Sequence, residues 1–250
     1  MEIPAIFASG RRFGDLLAHV PAEGGCLPPQ GCRTVPFQDA AAALPRADER
    51  LPALVVDWGS LGARKFDERV VKAARLRGRD LWLMTWVADA DDLMDAFNTV
   101  ADVVVAPYHA IASRADMEDI ASISDGTIPA VFVEGGRALA RGGRPDGVYD
   151  ALGVLESAGF PRAVVVDSDS SVPADGWASI AGRFPRTVPF VADPAQARGL
   201  FADVATPLRL RAGPRGTRPR PRGRPRRGCG LSPLSRAAPA TASPWTRRTP

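Results

Sequence analysis

Polar side chains that can transfer protons follow short apolar runs at five places in the first 210 residues. Each run is rich in β-branched residues, and the polar group comes at its end or just after it. Two carboxylates in different environments can act as general acid and general base next to a carbonyl or a Schiff base. The residue types therefore indicate acid and base chemistry at a shared site. The candidates are Asp57, His109, Glu134, Asp167, Asp169 and Asp193.

Asp57 and Asp167 are the strongest of these candidates because each follows a fully apolar run. Residues 54–57 read Leu-Val-Val-Asp and residues 164–167 read Val-Val-Val-Asp, 110 positions apart. We predict these two aspartates as the catalytic acid and base, with Glu134 or His109 assisting. For His109, a structural histidine is an equally good interpretation.

Three aspartates stand at or before the start of predicted helices. For Asp89, Asp169 and Asp193, this position favours capping of the helix N-terminus. Three or more of the carboxylates together could instead hold Mg²⁺ through oxygen ligands. The spacing along the chain does not decide between acid and base chemistry and a magnesium site.

A glycine pair after the fifth apolar run could contact substrate. Gly135 and Gly136 could present backbone N–H groups, and Arg137 a guanidinium, to a phosphate group. A flexible turn accounts for the same three residues equally well. Ser168 and Asp169, which follow Asp167, are the other predicted substrate contacts.

Eight apolar runs alternate with helix-like segments, which predicts a parallel sheet buried on both faces. Eight strand and helix pairs in about 210 residues favour a (β/α)8 barrel of the TIM type, whose active site lies at the carboxyl ends of the strands. The predicted strands are 3–8, 53–57, 81–87, 102–107, 128–133, 163–167, 188–191 and 205–210. The predicted helices are 13–20, 38–44, 66–76, 89–100, 113–123, 147–158, 174–183 and 194–201.

Composition is consistent with one enzyme-sized domain over residues 1–210. The chain is 45% hydrophobic and has 250 residues, enough for one substantial core. No apolar run approaches the roughly 20 residues of a membrane span, and the first ten residues do not resemble a signal peptide. We therefore expect a cytoplasmic protein with no membrane partner. Walker, dinucleotide-binding and His-x-x-x-His motifs are missing, which argues against familiar NTPases, NAD enzymes and zinc hydrolases.

The last 40 residues differ sharply from the rest. Residues 211–250 contain eleven Arg, eight Pro and no acidic residue, while the first 210 carry 21 basic and 28 acidic side chains. Such a tail is predicted to be disordered and could bind nucleic acid through its charge. A frameshift product of GC-rich coding is an equally good interpretation. The tail begins where a final helix should cover the last strand, so the barrel could be incomplete at its C-terminus.

The paired acidic motifs resemble those of the histidine-biosynthesis barrels HisA and HisF of the ribulose-phosphate-binding superfamily. In those proteins, the second and sixth strands each end in an acidic motif, as at residues 57–60 and 167–171 here. The resemblance implies a divergent relative of these proteins, with a different substrate or without catalysis. The function that we expect from the candidate residues is that of an isomerase or lyase acting on a small phosphorylated metabolite.

This chain also departs from that family. The family's catalytic aspartates end strands one and five, where this chain has Ala8-Ser9-Gly10 and Glu134-Gly135-Gly136. The family also has glycine-rich phosphate-binding loops after strands three and seven. In this chain, residues 86–89 and 191–194 occupy those positions and are not glycine-rich. A degenerate, non-catalytic barrel that binds a ligand or a partner is therefore the alternative.

Overall fold

A computed structural model of the chain describes residues 1–12, 15–21, 32–45, 51–74, 76, 78–99, 101–140 and 145–210. It contains twelve strands within these ranges. They are β1 (Glu2–Arg12), β2 (Asp15–Val20), β3 (Arg33–Pro36), β4 (Ala53–Asp57), β5 (Leu81–Met84), β6 (Val103–Pro107), β7 (Thr127–Glu134), β8 (Arg137–Leu139), β9 (Pro145–Asp146), β10 (Ala163–Asp167), β11 (Thr187–Phe190) and β12 (Val204–Pro207).

Helices follow most of the barrel strands. They are α1 (Phe37–Ala42), α2 (Trp58–Ala63), α3 (Glu68–Ala73), α4 (Ala90–Phe97), α5 (Arg114–Ile123), α6 (Val148–Ser157) and α7 (Ala174–Arg183), together with a 3-10 turn at Pro194–Gln196. None of the helices in the described ranges has the length and apolar character needed to cross a membrane.

Eight of the strands form a closed parallel barrel, which confirms the predicted (β/α)8 fold. The order around the barrel is β1, β4, β5, β6, β7, β10, β11 and β12. Closure comes from β12, which pairs in parallel with both β11 and β1. The expected final helix, the disordered tail 211–250 and its nucleic-acid role lie outside the described residues.

The barrel strands bury both faces, and alternate side chains divide between two layers. Val131, Val133 and Val165 pack outward against helix residues such as Leu152 and Ile180 in the main hydrophobic cluster. Successive side chains of a strand point to opposite faces, so the residues between these valines face the barrel interior. This division decides which polar residues reach the barrel mouth.

The predicted helix over 13–20 is wrong. Residues Asp15–Val20 form β2, an antiparallel partner of β1, and β3 extends this small sheet. Leu16, Ala18 and Val20 are buried while the residues between them are more exposed. Burial of every second residue is the pattern of a β-strand with one buried face. The helical spacing of the apolar residues in 13–20 therefore does not predict the structure.

Two other predictions need correction in the fold. The predicted helix 194–201 is reduced to the 3-10 turn that begins at Pro194. The loop expected after Glu134 contains the short strands β8 and β9, of which β8 pairs with β7. Helix α2, directly after β4, was not predicted at all.

Candidate active site at the barrel mouth

Asp57 is fully buried and is used as a helix cap. Its carboxylate accepts hydrogen bonds from the Ser60 N–H (3.1 Å), the Ser60 hydroxyl (2.5 Å) and the Thr85 hydroxyl (3.4 Å). Thr85 lies on the same strand face as Val87, which belongs to the outer hydrophobic cluster. Burial raises the pKa of Asp57, although its three hydrogen bonds oppose this effect. The side chain therefore faces the layer between strands and helices.

Asp167 repeats this arrangement at the end of β10. Only 1% of the residue is exposed, and its carboxylate accepts hydrogen bonds from the N–H groups of Ser171 (2.9 Å) and Val172 (3.3 Å). Val165, two residues earlier on the same face, packs in the outer cluster. Burial raises the pKa of Asp167. The two repeated aspartates thus hold the loops that follow their strands and do not meet in the mouth.

Four partly exposed side chains from neighbouring strand ends line one side of the mouth. The residues Trp58, Trp86, His109 and Glu134 follow or end β4, β5, β6 and β7, in that order. The His109 ring lies 6.0 Å from the Trp86 ring and 5.3 Å from the Phe132 ring, edge to face in both contacts. Phe132 precedes Glu134 by two residues, so both side chains are on the interior face of β7.

His109 is a neutral imidazole at physiological pH. Burial, and after it the positive charge of Arg64, lowers the pKa of His109 to about 4. Arg64 ends α2 in the left-handed conformation, with φ of 53°. A neutral imidazole both donates and accepts hydrogen bonds, but both ring nitrogens of His109 are buried in this structure. The ring therefore presents an uncharged aromatic edge to the mouth.

Glu134 and Asp169 form a carboxyl pair whose pKa values are shifted in opposite directions. Burial raises the pKa of Glu134, and the charge of Asp169 adds to that rise. Burial would also raise the pKa of Asp169, but hydrogen bonds from the Ser171 side chain and the Gly135 N–H (2.8 Å) outweigh it and lower the pKa. One carboxyl group is thereby easier to protonate while its neighbour stays ionised.

The glycine pair forms a two-residue hairpin turn between β7 and β8. Gly135 and Gly136 have φ of 57° and 73°, values that glycine adopts without steric cost. The Gly135 N–H donates to Asp169, and the Gly136 N–H donates to the Ser171 hydroxyl at 2.8 Å. Both amides predicted to bind phosphate therefore already have acceptors, and phosphate binding there stays a prediction.

Arg137 and Ser168, the other two predicted substrate contacts, differ in how exposed they are to solvent. Arg137 is exposed and lies opposite Glu134 in the β7–β8 register. Ser168 is buried, and its N–H donates to the Val133 carbonyl at 3.2 Å. Arg137 therefore faces solvent on the strand next to Glu134, and its charge is not among the causes of the shifted pKa of Glu134.

Capping is confirmed for two of the three aspartates for which it was favoured. Asp89 accepts from the Asp92 N–H (3.0 Å) at the start of α4, and Asp193 accepts from the Ala195 N–H (3.0 Å). Helix capping is wrong for Asp169, because α7 begins after Pro173 and has no side-chain cap. Asp169 instead links the loop after β10 to the turn after β7.

A magnesium site would need several carboxylates in one place. Within the described ranges, no group of three or more histidine, cysteine, aspartate or glutamate side chains is arranged to hold a metal ion. Asp57 and Asp167 bind their own loops, and Asp193 caps a turn.

Arg64 is a mouth residue that the sequence does not point to, as are Trp58 and Trp86. It reaches the site because α2 ends in a left-handed residue, and α2 itself was not predicted. The signal was present in Asp57 and Ser60, a cap residue followed three positions later by a residue whose N–H it binds. From sequence, Asp57 is a candidate catalytic group or magnesium ligand, and its role as a cap is not recognised.

Comparison with known proteins adds no family. No protein-family model matches the chain, and none of the curated proteins searched matches it. A barrel fold alone supports many unrelated reactions. The geometry of the mouth is therefore the ground for any functional proposal.

Proposed function

We propose that the protein is a barrel enzyme, an isomerase or lyase that acts on a small phosphorylated metabolite by proton transfer. The observation that carries the proposal is the Glu134 and Asp169 pair, with pKa values shifted in opposite directions at the barrel mouth. Carboxyl groups whose environments separate their pKa values are typical of acid and base roles. Glu134 is the proton-transfer group, and Asp169 keeps its charge.

Glu134 and Asp169 take the catalytic roles that the sequence suggests for Asp57 and Asp167. Their carboxylates are buried and bound by loop groups, so a substrate in the mouth would not reach them. Glu134 is partly exposed and shares the interior face of β7 with Phe132, which contacts His109. His109 would lie beside the substrate as a neutral group.

Two arginines support an anionic substrate. Arg137 lies opposite Glu134 in the strand register, and the charge of Arg64 acts on His109. A guanidinium binds phosphate through two parallel hydrogen bonds. A phosphorylated molecule would thus place its reacting carbons among Glu134, His109 and the tryptophan rings. The resemblance to HisA and HisF barrels points to the same substrate class and is itself part of the proposal.

The test begins with a thermal-shift titration against inorganic phosphate and a panel of sugar phosphates, with and without Mg²⁺. A ligand at about a hundred times its Kd stabilises the fold by roughly 2.7 kcal/mol. Any ligand found is then assayed for turnover with Glu134→Gln. The matched control is Asp125→Asn, which removes an exposed carboxylate in the turn before the opposite end of β7. Glu134→Gln should keep the shift and lose turnover about 10²- to 10⁴-fold.

A non-catalytic barrel that binds a ligand or partner is the second candidate. The structural roles of Asp57, which caps α2, and Asp167, which binds the loop after β10, favour this candidate, because the residues that repeat along the sequence serve local structure. In that case, a ligand would stabilise the protein without being turned over, and Glu134→Gln would leave the thermal shift unchanged. No shift with any phosphate ester would refute the phosphorylated substrate class.

A further inference from the structure

A serine, a histidine and a threonine lie in line on the small antiparallel sheet formed by β1, β2 and β3. The Ser9 hydroxyl is hydrogen-bonded to His19 Nε2, and the Thr34 hydroxyl lies 3.3 Å from His19 Nδ1. The register pairs His19 with both Phe7 and Thr34, which puts the three polar side chains on one face of this sheet. A nucleophile, a base and an orienting group have this order.

The histidine is in the protonation state that a base requires. His19 is half-buried, and burial lowers its pKa, so the ring is neutral at pH 7. With Nδ1–H donating to the Thr34 oxygen, Nε2 carries the lone pair that accepts the Ser9 proton. The Thr34 hydroxyl is within reach of Nδ1, which is compatible with this tautomer and holds the ring toward Ser9.

The chain next to Ser9 leaves room for a substrate. The β1–β2 register skips a residue between Ser9 and Arg11, so Gly10 forms a bulge with φ of 44°. A Cβ placed on Gly10 would meet no atom of the described residues within 4 Å. The Gly10 N–H follows the nucleophile directly, which is the position of an oxyanion-stabilising amide in serine hydrolases.

An apolar wall lies on the same face of the sheet. Phe7 is on the face that carries Ser9 and His19, and its ring is 6.0 Å from Trp58 and 5.9 Å from Phe190. Leu17 stands opposite Ser9 in the register. Phe7 and Phe190 are buried, so the partly exposed Leu17 and Trp58 are the apolar side chains that an acyl group at Ser9 would meet.

We propose that Ser9 and His19 form a nucleophile and base pair that hydrolyses carboxylic esters with an apolar acyl group, with Thr34 as a positioning residue. This activity is separate from proton transfer at Glu134. It uses residues on the β1 side of the barrel and needs none of the carboxylates of the proposed isomerase or lyase site.

The reaction balances with water as the second reactant. Ser9 Oγ attacks the ester carbonyl carbon while its proton passes to His19 Nε2. The carbon–oxygen bond to the alcohol breaks, and the alkoxide leaves with the proton from His19, giving an acyl-Ser9. Water, deprotonated by His19, then attacks the acyl carbon, and Ser9 leaves with its proton restored.

The experiment treats the full chain with a fluorophosphonate and locates the adduct by peptide mass spectrometry. Label on Ser9 is expected, with none after Ser9→Ala. His19→Gln should slow labelling about 100-fold, the usual contribution of a general base. The matched control is Ser179→Ala, whose hydroxyl only donates to the Asp175 carbonyl, and it should label like the parent protein. Glu134→Gln should also label normally, which separates this activity from the proposed function.

Thr34 is tested by conservative replacement. Thr34→Ser keeps the hydroxyl and should keep the labelling rate and the hydrolysis of p-nitrophenyl butyrate. Thr34→Val removes the hydroxyl at similar volume and should lower both about tenfold while the melting temperature stays close to that of the parent. No label on Ser9, label on a different serine, or equal rates in the His19→Gln protein would overturn the proposal.

Discussion

Asp57 shows how a residue that looks catalytic can be structural. Its three hydrogen bonds join the end of β4 to α2 and to Thr85, and the residue is fully buried. The period-two pattern could not reveal this, because a strand buried on both faces is apolar at every position. The sequence shows that the aspartate ends the strand but not which face it occupies.

Replacing Asp57 by alanine is expected to lower the free energy of unfolding by about 1 to 3 kcal/mol, since buried donors lose their acceptor. Denaturant unfolding measures this. The control is Asp119→Ala, an exposed carboxylate on α5, for which a change within about 0.5 kcal/mol is expected. Unchanged stability combined with lost turnover would instead identify Asp57 as a catalytic group.

His109 gives a prediction about pH. Its pKa is lowered to about 4 in the folded protein, against an ordinary value of 6.5. The unfolded chain therefore binds a proton first as the pH falls, and the stability due to neutral His109 is lost progressively between pH 6.5 and 4. In the His109→Gln protein, the free energy of unfolding should therefore fall less between pH 6.5 and 4 than in the parent protein, as measured by denaturant unfolding at each pH.

NMR titration of the imidazole Cε1 protons tests the cause directly. The chain has only two histidines, so His109→Gln assigns both signals. Arg64→Gln should raise the pKa of His109, because it removes the nearby positive charge. A pKa unchanged by Arg64→Gln would show that burial alone sets the value.

At the scale of elements, the barrel strands were predictable and the additions to the barrel were not. Predominantly apolar runs marked all eight barrel strands, although β12 begins and ends earlier than expected. The β2 hairpin was missed because Leu16, Leu17 and Val20 also fit helical spacing. Tertiary pairing with β1 decided the structure, and a single sequence does not show that pairing.

The β7–β8 turn gives a prediction about glycine. Gly135→Ala and Gly136→Ala place a Cβ on left-handed residues and should each cost about 1 to 2 kcal/mol of unfolding free energy. Gly182→Ala is the matched change in α7, where a Cβ would meet nothing within 4 Å. It should stabilise the protein by about 0.5 to 1 kcal/mol. Equal effects at all three positions would contradict the turn geometry; denaturant unfolding distinguishes the outcomes.

At the scale of the whole molecule, the two ends of the described chain close the barrel together. The Val204 N–H donates to the Met1 carbonyl at 2.8 Å, and the Leu208 N–H donates to the Ala5 carbonyl at 2.7 Å. Strand β12 also pairs with β11. The last residues needed for closure are thus in place before residue 210, and closure depends on contacts between distant parts of the sequence.

Closure by β12 predicts different results for two shortened chains. A chain ending at Leu210 retains every strand of the barrel and should unfold cooperatively, with a melting temperature close to that of the full chain. A chain ending at Phe201 lacks β12, which leaves β1 and β11 without a neighbour on one side and exposes backbone groups that the barrel pairs. It should show no cooperative transition by calorimetry. Loss of cooperativity in both chains would mean that residues 211–250 stabilise the barrel, and retention in both would mean that β12 is dispensable.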